Sequence, residues 1–120
     1  MLTISKENTS KAVAVFSRFH IPAVVIDRGD GMVFFNAAAQ ELFQIDESFS
    51  LEDFKQVSAA PDTLKDFIIQ IGTSDVVSPH GMEWISLALQ GIDKSYPVVY
   101  SAWQDDPDIV AVQGTIRQRL

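Results

Sequence analysis

A chain of 120 residues, 47% of them hydrophobic, has the size of one domain and the apolar content for a core, which excludes both a disordered segment and a two-domain protein. Its net charge of −7, with nine Lys and Arg scattered along the chain, argues against nucleic acid as a partner, because a phosphate backbone needs clustered cations. The absence of cysteine excludes disulfides and thiolate chemistry; no apolar run reaches the roughly 18–20 residues of a membrane span, and MLTISKENTSK is too polar for a signal peptide, so a cytoplasmic location without membrane contact is expected.

The first predicted element is a helix over roughly residues 6–19, in which Ala12, Val15, Phe16 and Phe19 follow the spacing of one helical face. Pro22 restricts the residue before it to extended backbone, so this helix is expected to stop near Phe19. IPAVVID and MVFF then flank Arg28-Gly29-Asp30-Gly31, two apolar runs around turn residues, which predicts a β-hairpin. Asn36 precedes the helix-forming AAAQELF and has the side chain of an N-cap. Leu51, Phe54 and Val57 are spaced for a short helix within the ambiguous stretch 48–60. Pro61 suits a first helical position, Leu64, Phe67, Ile68 and Ile71 repeat the one-face spacing, and Gly72 is placed to end that helix.

The last third changes period. EWISLALQG, SYPVVYSAWQ and DIVAVQGTIRQ are rich in β-branched and aromatic residues. Gly91-Ile92-Asp93-Lys94 and Asp105-Asp106-Pro107-Asp108 supply turn chemistry between them, predicting a three-stranded meander. Both faces of the first run are apolar, so helices are expected on both. The order helix, two strands, helices, three strands predicts an α+β domain with a five-stranded antiparallel sheet flanked by helices.

IPAVVIDRGDGMVFFNAAAQELF at 21–43 and VQGTIRQRL at 112–120, taken in this order of elements, resemble the PAS family. Asn36, Ala38 and Ala39 match its Asn-x-Ala-Ala helix, and Gly114-Thr115 resembles the pair that closes its exit strand. The resemblance spans about residues 20–117, leaving 1–19 as an N-terminal flanking helix and 118–120 as the start of an exit linker. Two positions depart from the family pattern: Gln44 stands where many members have Gly, and the Asp that usually follows Gly-Thr is replaced in Gly114-Thr115-Ile116-Arg117-Gln118-Arg119. The resemblance implies a sensory input module. Such a module binds a small ligand or a protein partner and regulates an effector outside these residues, a histidine kinase or a GGDEF-type cyclic-nucleotide-synthesising domain. It also implies a homodimer built on the flanking helix, for which Val15, Phe16 and Phe19 with the free sheet face are the candidates.

No cofactor is favoured. The light-sensing flavin members and those with a thiol-linked chromophore need a cysteine. Haem members carry a histidine on the long central helix, and the segment Pro61–Ile71 has none; His20 and His80 lie elsewhere. A non-covalent flavin between Trp84 and Trp103 stays open, although strand tryptophans are mostly packing residues. The candidate ligand pocket is an apolar interior of Phe43, Phe54, Phe67, Ile68, Ile85, Leu87 and Tyr100, for which the plainer reading is a filled core. Ser86, Ser101 and Gln113 are the polar residues expected to orient a ligand there. No catalytic residues are expected: Asp27 and Asp30 are turn carboxylates, and His80 with Glu83 has no nucleophile or anion-holding loop beside it. The competing class is a small α+β barrel enzyme with an acidic base in an apolar cavity; the alternative within binding modules is a ligand-free dimerisation domain.

Overall fold

The computed structural model describes residues 2–58, 62–73, 80–89, 92–103 and 106–114. Helix α1 (Leu2–Phe16) is followed by a tightened turn in which Arg18 N donates to Val15 O and Phe19 N to Phe16 O. It therefore stops short of Phe19. Strands β1 (Ala23–Asp27) and β2 (Met32–Phe35) form the hairpin, with Asp27 paired to Met32. Gly31 has φ 67°, a conformation that glycine adopts without a Cβ penalty, and the Asp27 carboxylate accepts from Asp30 N at 3.0 Å.

Helix α2 (Ala37–Phe43) begins at Asn36, whose side chain accepts from Ala39 N. Beyond it come strand β3 (Ser48–Ser50), helix α3 (Leu51–Phe54) and helix α4 (Asp62–Thr73). Strands β4 (His80–Leu89), β5 (Ile92–Trp103) and β6 (Asp106–Gly114) complete the regular structure of the described residues. The fold is α+β, with one antiparallel sheet in the order β3-β2-β1-β6-β5-β4.

The sheet has six strands rather than the expected five. The extra one, β3, pairs Met32 to Ser50 and Phe34 to Ser48. Three residues are too few for a period to register in sequence. Ile92, Asp93 and Lys94, with turn-like composition, lie inside β5, because the β4–β5 ladder runs as far as the pair Leu89–Ile92. Asp106, Pro107 and Asp108 likewise belong to β6. Gly72 does not end α4 but lies within it; a Cβ there would sit 2.8 Å from Leu51 Cδ1, so its role is close packing of α4 on α3. Pro61, Thr115 and the exit linker at 118–120 lie outside the described residues.

Strands β1 and β6 are central, and their apolar residues serve both faces. On the inner face Val24, Ile26, Val33, Phe35, Val110 and Val112 pack with Ala39 and Phe43 of α2, Leu51 and Phe54 of α3, and Leu64, Ile68 and Ile71 of α4. On the outer face Ala23, Val25, Ile109 and Ala111 pack with Ala12 and Phe16 of α1. Alternate residues of each strand go to opposite sides, so β1 divides its run between two cores. The small Ala23 and Ala111 leave room for the helix to approach. Cross-strand partners share a face, so the pairs Ala23–Gln113, Gln113–Val99 and Val99–Met82 carry the outer face across to β4. There α1 no longer covers it: Met82, Trp84 and Val99 are 55%, 61% and 47% exposed. The outer side of β4 and β5 is thus the uncovered part of a face expected to be sheltered.

Candidate functional site

The inner core is centred on Phe54, fully buried at the end of the one-turn helix α3. Ser50 caps that turn by accepting from Asp53 N at 3.1 Å, which fixes the orientation of Leu51 and Phe54. Phe35 and Phe49 lie against the Phe54 ring with centroids 5.5 and 5.9 Å away, and Phe35 meets Phe49 edge-on at 6.1 Å. Ile68 of α4 is fully buried in the same cluster, and Phe43 closes it at the end of α2. Phe67 and Tyr100 are partly buried against this core and contact each other edge-on at 6.0 Å. Five of the seven residues singled out for a pocket therefore border one apolar cluster. Ile85 and Leu87 lie on β4, with their side chains outside what is described. Around Phe54 the space is occupied by Phe35 and Phe49, neither of which the sequence reading singled out.

The polar candidates do not gather in that interior. Ser86 and Ser101 are exposed, and Gln113 lies on the outer face beside Ala23. Trp84 is largely exposed rather than poised to flank a bound ring. His20 is exposed, while the side chains of His80, Glu83 and Trp103 fall outside the described residues. No cluster of three metal-ligating side chains occurs among the described residues, and no described helix is long and apolar enough to cross a membrane.

The buried polar groups gather instead where α1 meets the hairpin. Asn36, 8% exposed, uses its whole amide. Oδ1 accepts from Ala23 N at 3.0 Å and from Ala39 N at 2.9 Å; Nδ2 donates to Phe16 O at 3.0 Å and to Ile21 O at 2.9 Å. One side chain thus ties the end of α1, the start of β1 and the first turn of α2. Ala39 packs in the inner core, and Ala38 is half-buried. A second tie joins the other end of the hairpin to α1: Thr9 Oγ1 donates to Asp27 Oδ2 at 2.8 Å, and both residues are buried. Next in sequence, Arg28 Nε donates to Ile71 O of α4 at 3.1 Å, and its N–H to Asp108 O of β6.

These ties reassign the N-terminal helix. Its buried face is Thr9, Ala12 and Phe16, with Val13 alongside, whereas Val15 is 42% exposed. Phe16 is committed to its own sheet, and the half-buried Phe19 contacts its ring edge-on at 4.7 Å. Of the residues singled out for a dimer contact, Val15 alone stands clear of the chain's own core. Thr9 escaped sequence reading because a helical threonine is ordinarily a surface residue. Its spacing of three from Ala12 and seven from Phe16 was the available signal.

One sheet with helices α2–α4 packed on its inner face and a flanking helix on its outer face defines a PAS-type fold. Among solved structures the chain is similar to the PAS domain of BvgS from Bordetella pertussis, with 12% identity over 92% of this chain and 86% of that one, at a TM-score of 0.56. It is also similar to the PAS domain of an HTR-like protein from Haloarcula marismortui, with 15% identity over 91% and 96% of the two chains and a TM-score of 0.50. No family model and no curated protein matches the sequence. What is shared at such identities is the fold.

Proposed function

We propose that the chain is a sensory input module without catalytic activity of its own, which binds a small ligand or a protein partner and regulates an effector outside these residues. A histidine kinase or a GGDEF-type domain is the expected effector. The observation that carries this reading is the double duty of Asn36, which caps α2 beneath the inner core and holds the Phe16 carbonyl at the end of α1. A change in the packing of α2 around Phe43 and Phe54 alters the position of Asn36, and α1 moves with it. The signal is then a shift between two arrangements of flanking helix and sheet, biased by whichever state the ligand or partner binds better. We place the module in the cytoplasm, on the same side as its proposed effector.

The exposed apolar residues support a homodimer as part of this reading. Val15 on α1 and Met82, Trp84 and Val99 on the outer sheet face are exposed side chains whose burial would favour a second copy. Light scattering on the chain and on Trp84→Glu tests this. A dimer that the substitution converts to monomer supports the interface, and a monomer at every concentration removes it. Native mass spectrometry, with an absorbance spectrum from roughly 300 to 700 nm, tests for a retained ligand. A bound mass supports ligand sensing; bare protein leaves the partner-binding form of the module.

A further inference from the structure

Outside the inner core, the outer face is indented on the side of α1 away from β6. A cleft of about 170 Å3 lies there between the helix and the β2 side of the sheet. Val13 and Phe16 of α1 form one wall, Val25 and Phe34 of the hairpin the floor, and Gln40 with Glu47 the opposite rim. The position follows from the topology: β2 is followed in the sheet by the short β3, and α1 lies over β1 and β6, so no described element covers the outer side of Phe34. An apolar cavity of about 150 Å3 is large enough for benzene, so this cleft has the size of a single aromatic ring and little more.

The polar groups at the rim select the charge of the occupant. Asn36 also lines the cleft, but its amide is already fully engaged by four partners. Gln40 gives one amide hydrogen to Phe35 O at 2.9 Å, which leaves its second amide hydrogen as a donor and its Oε1 as an acceptor, and Ser17 donates to Ala14 O and keeps hydroxyl lone pairs. Among the described residues Glu47 is the one charged residue in the lining, and it is exposed. The rim is thus acceptor-rich and negative, with no cation among the described lining residues to meet a carboxylate or phosphate. We propose that this cleft binds a small aromatic amine, its ring between Phe16 and Phe34 and its ammonium group beside Glu47 and Gln40.

The cleft exists only while α1 is seated, because Val13 and Phe16 form its wall. An occupant therefore favours the docked helix, in proportion to its own affinity. The inference goes beyond the input-module reading and does not depend on it, since binding is a property of this chain alone.

Amide shift mapping of the labelled chain by NMR tests the proposal, with 2-phenylethylamine, 2-phenylethanol and phenylacetate as probes. The amine is expected to give saturable shifts at Val13, Phe16, Ser17, Phe34 and Gln40, with phenylacetate much weaker. Glu47→Gln should weaken the amine roughly two- to five-fold, the scale of an exposed ion pair, and leave 2-phenylethanol unchanged. Ala37→Leu, at an exposed position that lines the cleft, should abolish binding while the rest of the spectrum is retained. No saturable shifts with the amine, shifts centred on Phe54 and Ile68, or equal binding of phenylacetate would each overturn it. Light scattering does not read this site and a bound mass does not locate its ligand, whereas the shifts are resolved by residue, so the two ideas fail separately.

Discussion

Asn36 holds the carbonyl of Phe16 at 3.0 Å, a contact between residues twenty apart in sequence that joins the last turn of the flanking helix to the first turn of α2. The geometry uses both ends of the amide, which makes the two functions separable by mutation. Asn36→Ala removes the cap of α2, worth about 1 kcal/mol, and strands buried backbone groups at about 1–3 kcal/mol more. A total loss of about 3 kcal/mol is expected in denaturant unfolding. Asn36→Asp keeps the acceptor for Ala39 N but sets a carboxylate against the Phe16 and Ile21 carbonyls. Hydrogen exchange should then quicken in α1 while α2 stays protected; equal loss in both helices would show that the two ends act as one unit.

Thr9 and Asp27 offer a second, independent hold on α1. Thr9→Val keeps the shape and removes the hydroxyl, so the buried Asp27 carboxylate loses a donor at 2.8 Å. Hydrogen bonds to charged groups contribute about 1.5–3 kcal/mol, and a loss in that range is expected in chemical denaturation. Thr9→Ser retains the donor and should recover most of it. A Thr9→Val variant as stable as the parent would mean that water replaces the hydroxyl.

Gln44 sits at the end of α2 with φ 56° and ψ 51°, the left-handed region. Its side chain donates to Glu41 O at 2.7 Å, but the backbone conformation still costs a residue with a Cβ about 1 kcal/mol. Gln44→Gly is expected to stabilise the chain by about 0.5–1 kcal/mol, after the added freedom of the unfolded glycine is allowed for. A thermal melt that moves down instead would show that the Glu41 contact outweighs the strain.

Gly81 faces Tyr100 across the β4–β5 ladder, and a Cβ on it would lie 2.5 Å from Tyr100 Cζ. Gly81→Ala forces the tyrosine ring to move, and with it the edge-on contact to Phe67. Overpacking of this kind costs about 1–3 kcal/mol. The loss should shrink when Tyr100→Leu is added, a coupling that a double-mutant cycle reads directly.

Much of the architecture was legible because its causes are local. The spacing of Leu64, Ile68 and Ile71 on α4, the β-branched runs of the meander, the Arg28–Gly31 turn and the Asn36 cap each depend on a few neighbouring residues. The short strand β3 was not legible, since SFS carries no period and becomes a strand only because β2 offers it a free edge. The ends of β5 and β6 were misread for a related reason: Ile92–Lys94 and Asp106–Asp108 have turn composition, and the ladder with a neighbouring strand overrides it.

By itself, then, the sequence determined the class of fold, the order of the major elements and the apolar inner core, all properties of periodicity and residue type. Only the tertiary structure decided which side of each element faces what. It put Phe16 into the chain's own sheet and Val15 into solvent, left Trp84 uncovered, and brought Thr9 to Asp27 and Asn36 to Phe16. The physical reason is that a helical stripe specifies that a face will be buried without specifying its partner. Long-range hydrogen bonds between ordinary surface-type residues leave no local pattern at all.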